Sequence, residues 1–208
     1  FKRRKGSMKK VIVILMVAVL AMSMVFAQSS SESKGTMTLK LGHIRDTNHP
    51  THKGAELFAK LVEEKSEGRI KVEIYPNSQL GGIEEMFTQI KTGDLDMVYG
   101  GINTLSFISG GEALEITSIP FLYRDYEHMR ACLLSEAFAP ALEQAEKNTG
   151  LKILNITGDT APRGLTANKA VYTPEDMKGI KIRTAASETV MRTRKTLGAL
   201  PQQIALAD

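Results

Sequence analysis

The sequence predicts an α/β fold: a mainly parallel sheet with helices on both faces. Three observations carry that expectation. Residues 38–42 (TLKLG), 70–75 (IKVEIY) and 95–99 (LDMVY) have the alternation or apolar run of strands. The two segments between them repeat apolar residues at helical spacing, Leu57, Phe58, Leu61 and Val62, then Ile83, Met86, Phe87 and Ile90. The connections are a few residues long, so strand and helix alternate closely enough to build crossovers onto one sheet.

Each element has its own punctuation. Thr47-Asn48-His49-Pro50 supplies capping residues and a proline near a first turn, and Gly68 stops that helix after Lys65. Pro76-Asn77-Ser78 is a turn, and Gly93 closes the second helix. Residues 100–120 are glycine-rich and end in the apolar ITSIPFL. Residues 125–148 read as two helices broken near Ser135 and Pro140, and residues 151–156 (LKILNI) read as another strand. Residues 158–162 interrupt the alternation as a crossover. Thr173-Pro174-Glu175-Asp176-Met177 opens a short helix, 180–183 is a strand, 187–197 is a helix stopped by Gly198, and QQIAL reads as the start of a further strand. The chain ends there at Asp208, so we expect C-terminal truncation.

The N-terminus has the three parts of a secretory signal peptide: Met8-Lys9-Lys10, an apolar run to Met24, and Val25-Phe26-Ala27 as a small-x-small ending. The run is long enough for a short membrane anchor. The polar, serine-rich linker over 28–38 and the absence of a positive stop-transfer cluster favour cleavage after Ala27. Residues upstream of Met8 can be encoded as a purine-rich ribosome-binding site, so the reading frame is expected to start at Met8. The chain has 27 Lys plus Arg and 23 Asp plus Glu, but residues 1–27 carry six of the bases and none of the acids. The 181 residues that remain are slightly acidic, which removes the support for a nucleic-acid partner. The single cysteine, Cys132, has no internal disulfide partner and sits in a helical pattern.

No metal or cofactor is called for. His43, His49 and His52 fit no zinc spacing, and no nucleotide-binding glycine loop or nucleophile elbow occurs. Glu84 and Glu85 are neighbours on a helix and face different ways, so they make a poor acid–base pair. We therefore expect a protein that is not an enzyme.

Five phrases in order, GRIKVEIYPNSQLGG, IKTGDLDMVYGG, IPFLYRDYEHMR, TPEDMKGIKIRTAASE and LGALPQQIA, resemble the DctP-type solute-binding proteins of tripartite ATP-independent periplasmic (TRAP) transporters. The resemblance covers residues 39–208. It implies the two-domain periplasmic-binding-protein fold, α/β domains joined by a hinge around a cleft, with 39–159 as domain I and 160–208 as the start of domain II. It implies a periplasmic receptor for a small organic anion of the dicarboxylate or sugar-acid class, with TRAP permease subunits as partners.

The resemblance also assigns residues. Arg183, in KGIKIRT, matches the arginine that grips the ligand carboxylate; a planar, permanently charged fork suits that task. Its strand-end position suits the rule that open sheets bind ligands beyond their strand C-termini; the alternative is an exposed strand-end charge. Arg163, in TAPRGLT, matches a second ligand-facing arginine, the alternative being a loop charge paired with Asp159 or Glu175. His43, Tyr99 and Asn103 fall at strand ends where the cleft is expected. Asn103 is suited to ligand hydroxyls, and His43 or Tyr99 to shaping the pocket or to packing. Two departures stand out: VYGGIN has no polar side chain at Gly101, which argues against sialic acid, and KIRTAAS lacks the proline common after the arginine. A sensor or chemoreceptor module of the same fold is the alternative function, and neighbouring genes would separate the two.

Overall fold

Alternation sets the first strand, β1 (Met37–Gly42), in the computed structural model, which describes residues 35–157 and 164–206. Its buried end is Leu41 and Gly42, from which the chain enters helix α1 (Pro50–Lys65). His49 caps that helix, its Nδ1 accepting the Thr51 N–H at 3.1 Å, and Pro50 stands in the first turn, where its missing N–H costs nothing. Strand β2 (Ile70–Tyr75) coincides with the expected IKVEIY, and α1 packs on it.

Helix α2 (Ile83–Thr92) begins with a one-way cap, the Gly82 N–H donating to Glu85 Oε2 at 2.8 Å. It ends where Gly93 takes φ +83°, a left-handed conformation that glycine enters without a Cβ penalty. Strand β3 (Met97–Val98) is only two residues long. The first sheet has the order β2-β1-β3, and β1 runs parallel to β3 in the register Leu41↔Met97 and Gly42↔Val98.

The glycine-rich stretch folds as two 3₁₀ helices, η1 (Ile102–Phe107) and η2 (Glu112–Ser118). Helix α3 (Tyr126–Leu133) follows, its Asp125 cap accepting the His128 N–H at 2.7 Å. Helix α4 (Ala139–Thr149) carries Pro140 inside its first turn rather than at a break. Phe87, Leu105, Leu114 and Ala145 are the buried centre of the core, so α2, η1, η2 and α4 converge there. Full burial of a side chain such as Leu114 stabilises by about 1.5–3 kcal/mol.

Residues 151–156 form no strand and join neither sheet among the described residues, contrary to the strand expected for LKILNI. Their donors are taken up locally: Leu151 N–H by Thr149 Oγ1 at 3.2 Å and Ile153 N–H by Glu146 Oε1 at 2.8 Å. Their apolar alternation is used nonetheless, because Leu151 and Ile153 pack on the core.

The later segment holds η3 (Pro174–Met177), β4 (Lys181–Thr184), α5 (Glu188–Thr196) and β5 (Leu200–Gln203). Strands β4 and β5 form a second, parallel sheet with Arg183 opposite Gln202. The last strand thus starts at Leu200, earlier than QQIAL implied, and ends before Ile204. Thr38–Asp208 clusters as one compact unit. The leader read over 1–27, most of the linker, the crossover with Arg163, and the last two residues lie outside the described residues.

Candidate functional site

The first parallel pair sends two candidate residues out from the same end. His43 follows β1 and Tyr99 follows β3, and the Tyr99 N–H donates to the Gly42 carbonyl at 3.0 Å. The Tyr99 ring is partly exposed and lies beside Gly54 of α1, where an added Cβ would come within 3.2 Å of its hydroxyl. Asn103, on η1, is half-buried. Its Nδ2 makes a long hydrogen bond, 3.4 Å, to Ser118 Oγ. Its Oδ1 lies over Gly101, where a Cβ would stand at only 2.9 Å. The missing side chain at Gly101 therefore makes room for the Asn103 amide.

His43 does not present a free ring nitrogen. The ring is fully buried. Its Nδ1 accepts the Arg45 N–H at 3.2 Å, and its Nε2 meets His52 Nδ1 at 3.0 Å. Because Nδ1 is an acceptor, neutral His43 carries its proton on Nε2 and donates it to His52. His52 then carries its own proton on Nε2, which faces Glu56 Oε1 at 3.4 Å. Burial first, then the His52 and His49 rings, hold the His43 imidazole below its ordinary value. With both ring nitrogens occupied, His43 is a buried packing group. Among the described residues no group of three or more His, Cys, Asp or Glu is arranged to hold a metal.

Arg183 leaves β4 one residue before the strand ends and is exposed. Its Nε donates to the Ile204 carbonyl at 2.8 Å, which fixes the stem and leaves the terminal nitrogens without a carboxylate partner among the described residues. A guanidinium held at Nε and open at its outer edge is arranged to receive an anion. Arg163 lies outside the described residues. No hydrogen bond ties Arg183 to the His43, Tyr99 and Asn103 group among the described residues. A groove lined by Glu84, Glu85, Thr88, Lys91, Ile108 and Ser109 contains none of these side chains, and Glu85 there is occupied in capping α2.

Sequence reasoning overlooked Glu115. Set on η2, it accepts from Ser106 through Oε2, and from Ser187 Oγ at 2.6 Å and the Thr189 N–H at 2.7 Å through Oε1. Burial raises its carboxyl, but the Ser106, Ser187 and Thr189 donors outweigh that and hold it below the usual range. An acid inside the otherwise apolar run ALEITSIPFL was the available signal.

Residues 41–208 match the bacterial extracellular solute-binding protein family 7, DctP. The chain is 30% identical over 183 residues to the 2,3-diketo-L-gulonate-binding periplasmic protein of Escherichia coli K12, covering 88% of this chain and 55% of that protein. Its fold is similar to a TRAP periplasmic solute-binding protein of Roseobacter denitrificans solved with L-galactonate, at a TM-score of 0.75 and 26% identity over 83% of this chain and 56% of the other. It is also similar to one from Sulfurospirillum deleyianum solved with succinate, at a TM-score of 0.70 and 26% identity over 83% and 55%. The chain thus spans about half the length of the relatives it matches. On the match over 41–208 and the similarity of fold, the chain belongs to the DctP family of bacterial extracellular solute-binding proteins.

Proposed function

We propose that this chain is the receptor component of a TRAP transporter: it captures a small organic acid outside the cytoplasm and delivers it to a membrane permease. The observation that carries the reading is Arg183, exposed near the end of a parallel strand, held at Nε by Ile204 and with no carboxylate on its outer nitrogens among the described residues. Relatives whose solved structures hold L-galactonate and succinate support a sugar-acid or dicarboxylate ligand. Export follows from the leader over 1–27, with the periplasm as destination. The two separate sheets support a division into 39–159 and 160–208, with the cleft between them. In that cleft Arg183 and Arg163 take the carboxylate, Asn103 takes ligand hydroxyls, and Tyr99, backed by His43, shapes the wall.

A thermal-shift panel of C4-dicarboxylates and sugar acids on the full-length mature protein tests this. A ligand at about 100 times its dissociation constant adds about 2.7 kcal/mol of stability. The reading is wrong if no acid in the panel shifts the midpoint, or if the shift survives Arg183→Ala intact.

A further inference from the structure

Two hydrogen bonds join residues 35–157 to residues 164–206, and one oxygen of one side chain accepts both. Glu115 reaches from η2 to Ser187 and Thr189, 72 and 74 positions further along. The place it reaches is specific. Ser187 is the N-cap of α5, its Oγ accepting the Val190 N–H at 3.2 Å. The Thr189 amide is one of the donors that a helix leaves unsatisfied in its first turn. The carboxylate completes that cap from outside the helix, where the positive end of the helix dipole favours an anion.

The other end of Glu115 is equally fixed. Its second oxygen accepts from Ser106 on η1, whose hydroxyl also lies 2.7 Å from the Asn103 carbonyl. One side chain thus ties the η1–η2 wall, which carries Asn103, to the turn between β4 and α5. Arg183 stands four residues before Ser187, on the strand that feeds this turn.

We propose that Glu115 is a positioning residue for anion capture: it holds the β4–α5 unit, and with it Arg183, at a set orientation to the η1–η2 wall. The assignment rests on the ligand role of Arg183 proposed above. Without this tie, only a fraction of molecules aim Arg183 correctly, and apparent affinity falls by that fraction.

Glutamine separates the tie from its charge. Its amide oxygen accepts from Ser187 and Thr189 as the carboxylate does. Its NH₂ faces Ser106, which turns its proton to Asn103 O and accepts instead. Alanine removes the tie altogether. Ser187→Ala removes one of its two bonds and spares Glu115, a second route if Glu115→Ala folds poorly.

The primary test needs no ligand. Nitroxide labels at Lys60→Cys on α1 and Lys195→Cys on α5, in a Cys132→Ser background of the full chain, report the distance between the two segments by pulsed electron resonance. The distribution should be narrow in the parent and in Glu115→Gln, and at least about twofold broader in Glu115→Ala, with Ser187→Ala between them. Titration with L-galactonate and with succinate is the second readout. Glu115→Ala should bind whichever acid the parent binds about tenfold more weakly, and Glu115→Gln should restore it. An unchanged distance distribution in folded Glu115→Ala overturns the assignment. So does a glutamine variant as loose as alanine. If Arg183→Ala leaves binding intact, the clamp reading fails, and the label distances still decide whether Glu115 sets the orientation.

Discussion

His43 Nε2 and His52 Nδ1 stand 3.0 Å apart, and the backbone N–H of Arg45 on the far side of the His43 ring decides which of them owns the proton. The neutral ring is favoured because a second proton would face that N–H at Nδ1. The fold therefore binds fewer protons here than the unfolded chain does just below pH 6.5. Stability from this site is complete above that value and is lost as pH falls toward the lowered folded value. The thermal midpoint should drop between about pH 7.5 and 5.5, and His43→Gln should flatten that part of the curve. A parent midpoint that stays level across the window would show that His43 is not held neutral by the fold.

Glu115 has its own acid limb, at lower pH. Its folded value lies below the ordinary 4.5, so its contribution is present above that value and is lost as pH falls through the folded one. Midpoints measured from about pH 5 downward should fall for the parent and fall less steeply for Glu115→Gln. Parallel curves would argue that the three donors do not favour the charged form.

Arg183→Ala in the full-length protein should weaken binding of the cognate acid by at least about a hundredfold, roughly 3 kcal/mol, because charge-assisted bonds are lost. Arg183→Lys should be intermediate, keeping the charge without the fork. Arg163→Ala should cost less. Calorimetry on folded variants checks all three, and unchanged affinity in Arg183→Ala would remove the carboxylate clamp.

Gly111 is buried where η1 turns into η2, and an added Cβ would stand 1.9 Å from the Leu105 carbonyl oxygen. That atom is backbone and cannot swing away, so Gly111→Ala has to separate the two 3₁₀ helices. Denaturant unfolding should show a loss of about 3 kcal/mol. A loss under about 0.5 kcal/mol, the scale of an ordinary surface change, would mean that the turn is far more pliant than its contacts imply.

The elements readable from sequence were those with local causes. IKVEIY alternates on its own, Gly82 to Gly93 encloses α2 with its own caps, and both appear where expected. LKILNI has the same local pattern as a strand but lacks a neighbour to pair with, and alternation says nothing about partners. The 3₁₀ pair was hidden because its glycines mark turns without naming them. Family likeness pointed to Arg183, which is exposed one residue before the end of β4. It could not foresee that both nitrogens of His43 would be occupied, since that depends on where α1 brings His52. Glu115 stood out only as an acid in an apolar run; two of its partners, Ser187 and Thr189, lie more than seventy residues away, and no periodicity spans that separation.

The Arg183–Ile204 bond has a consequence in time. A chain made or threaded N-terminus first can complete its first sheet once Val98 has emerged, and its core once Ile153 has. The guanidinium at 183 is then still unaimed. The carbonyl that steadies it arrives 21 residues later, after β5 has lain down beside β4. The anion grip proposed for Arg183 is therefore set only after the first sheet and the core, once β5 has lain down beside β4.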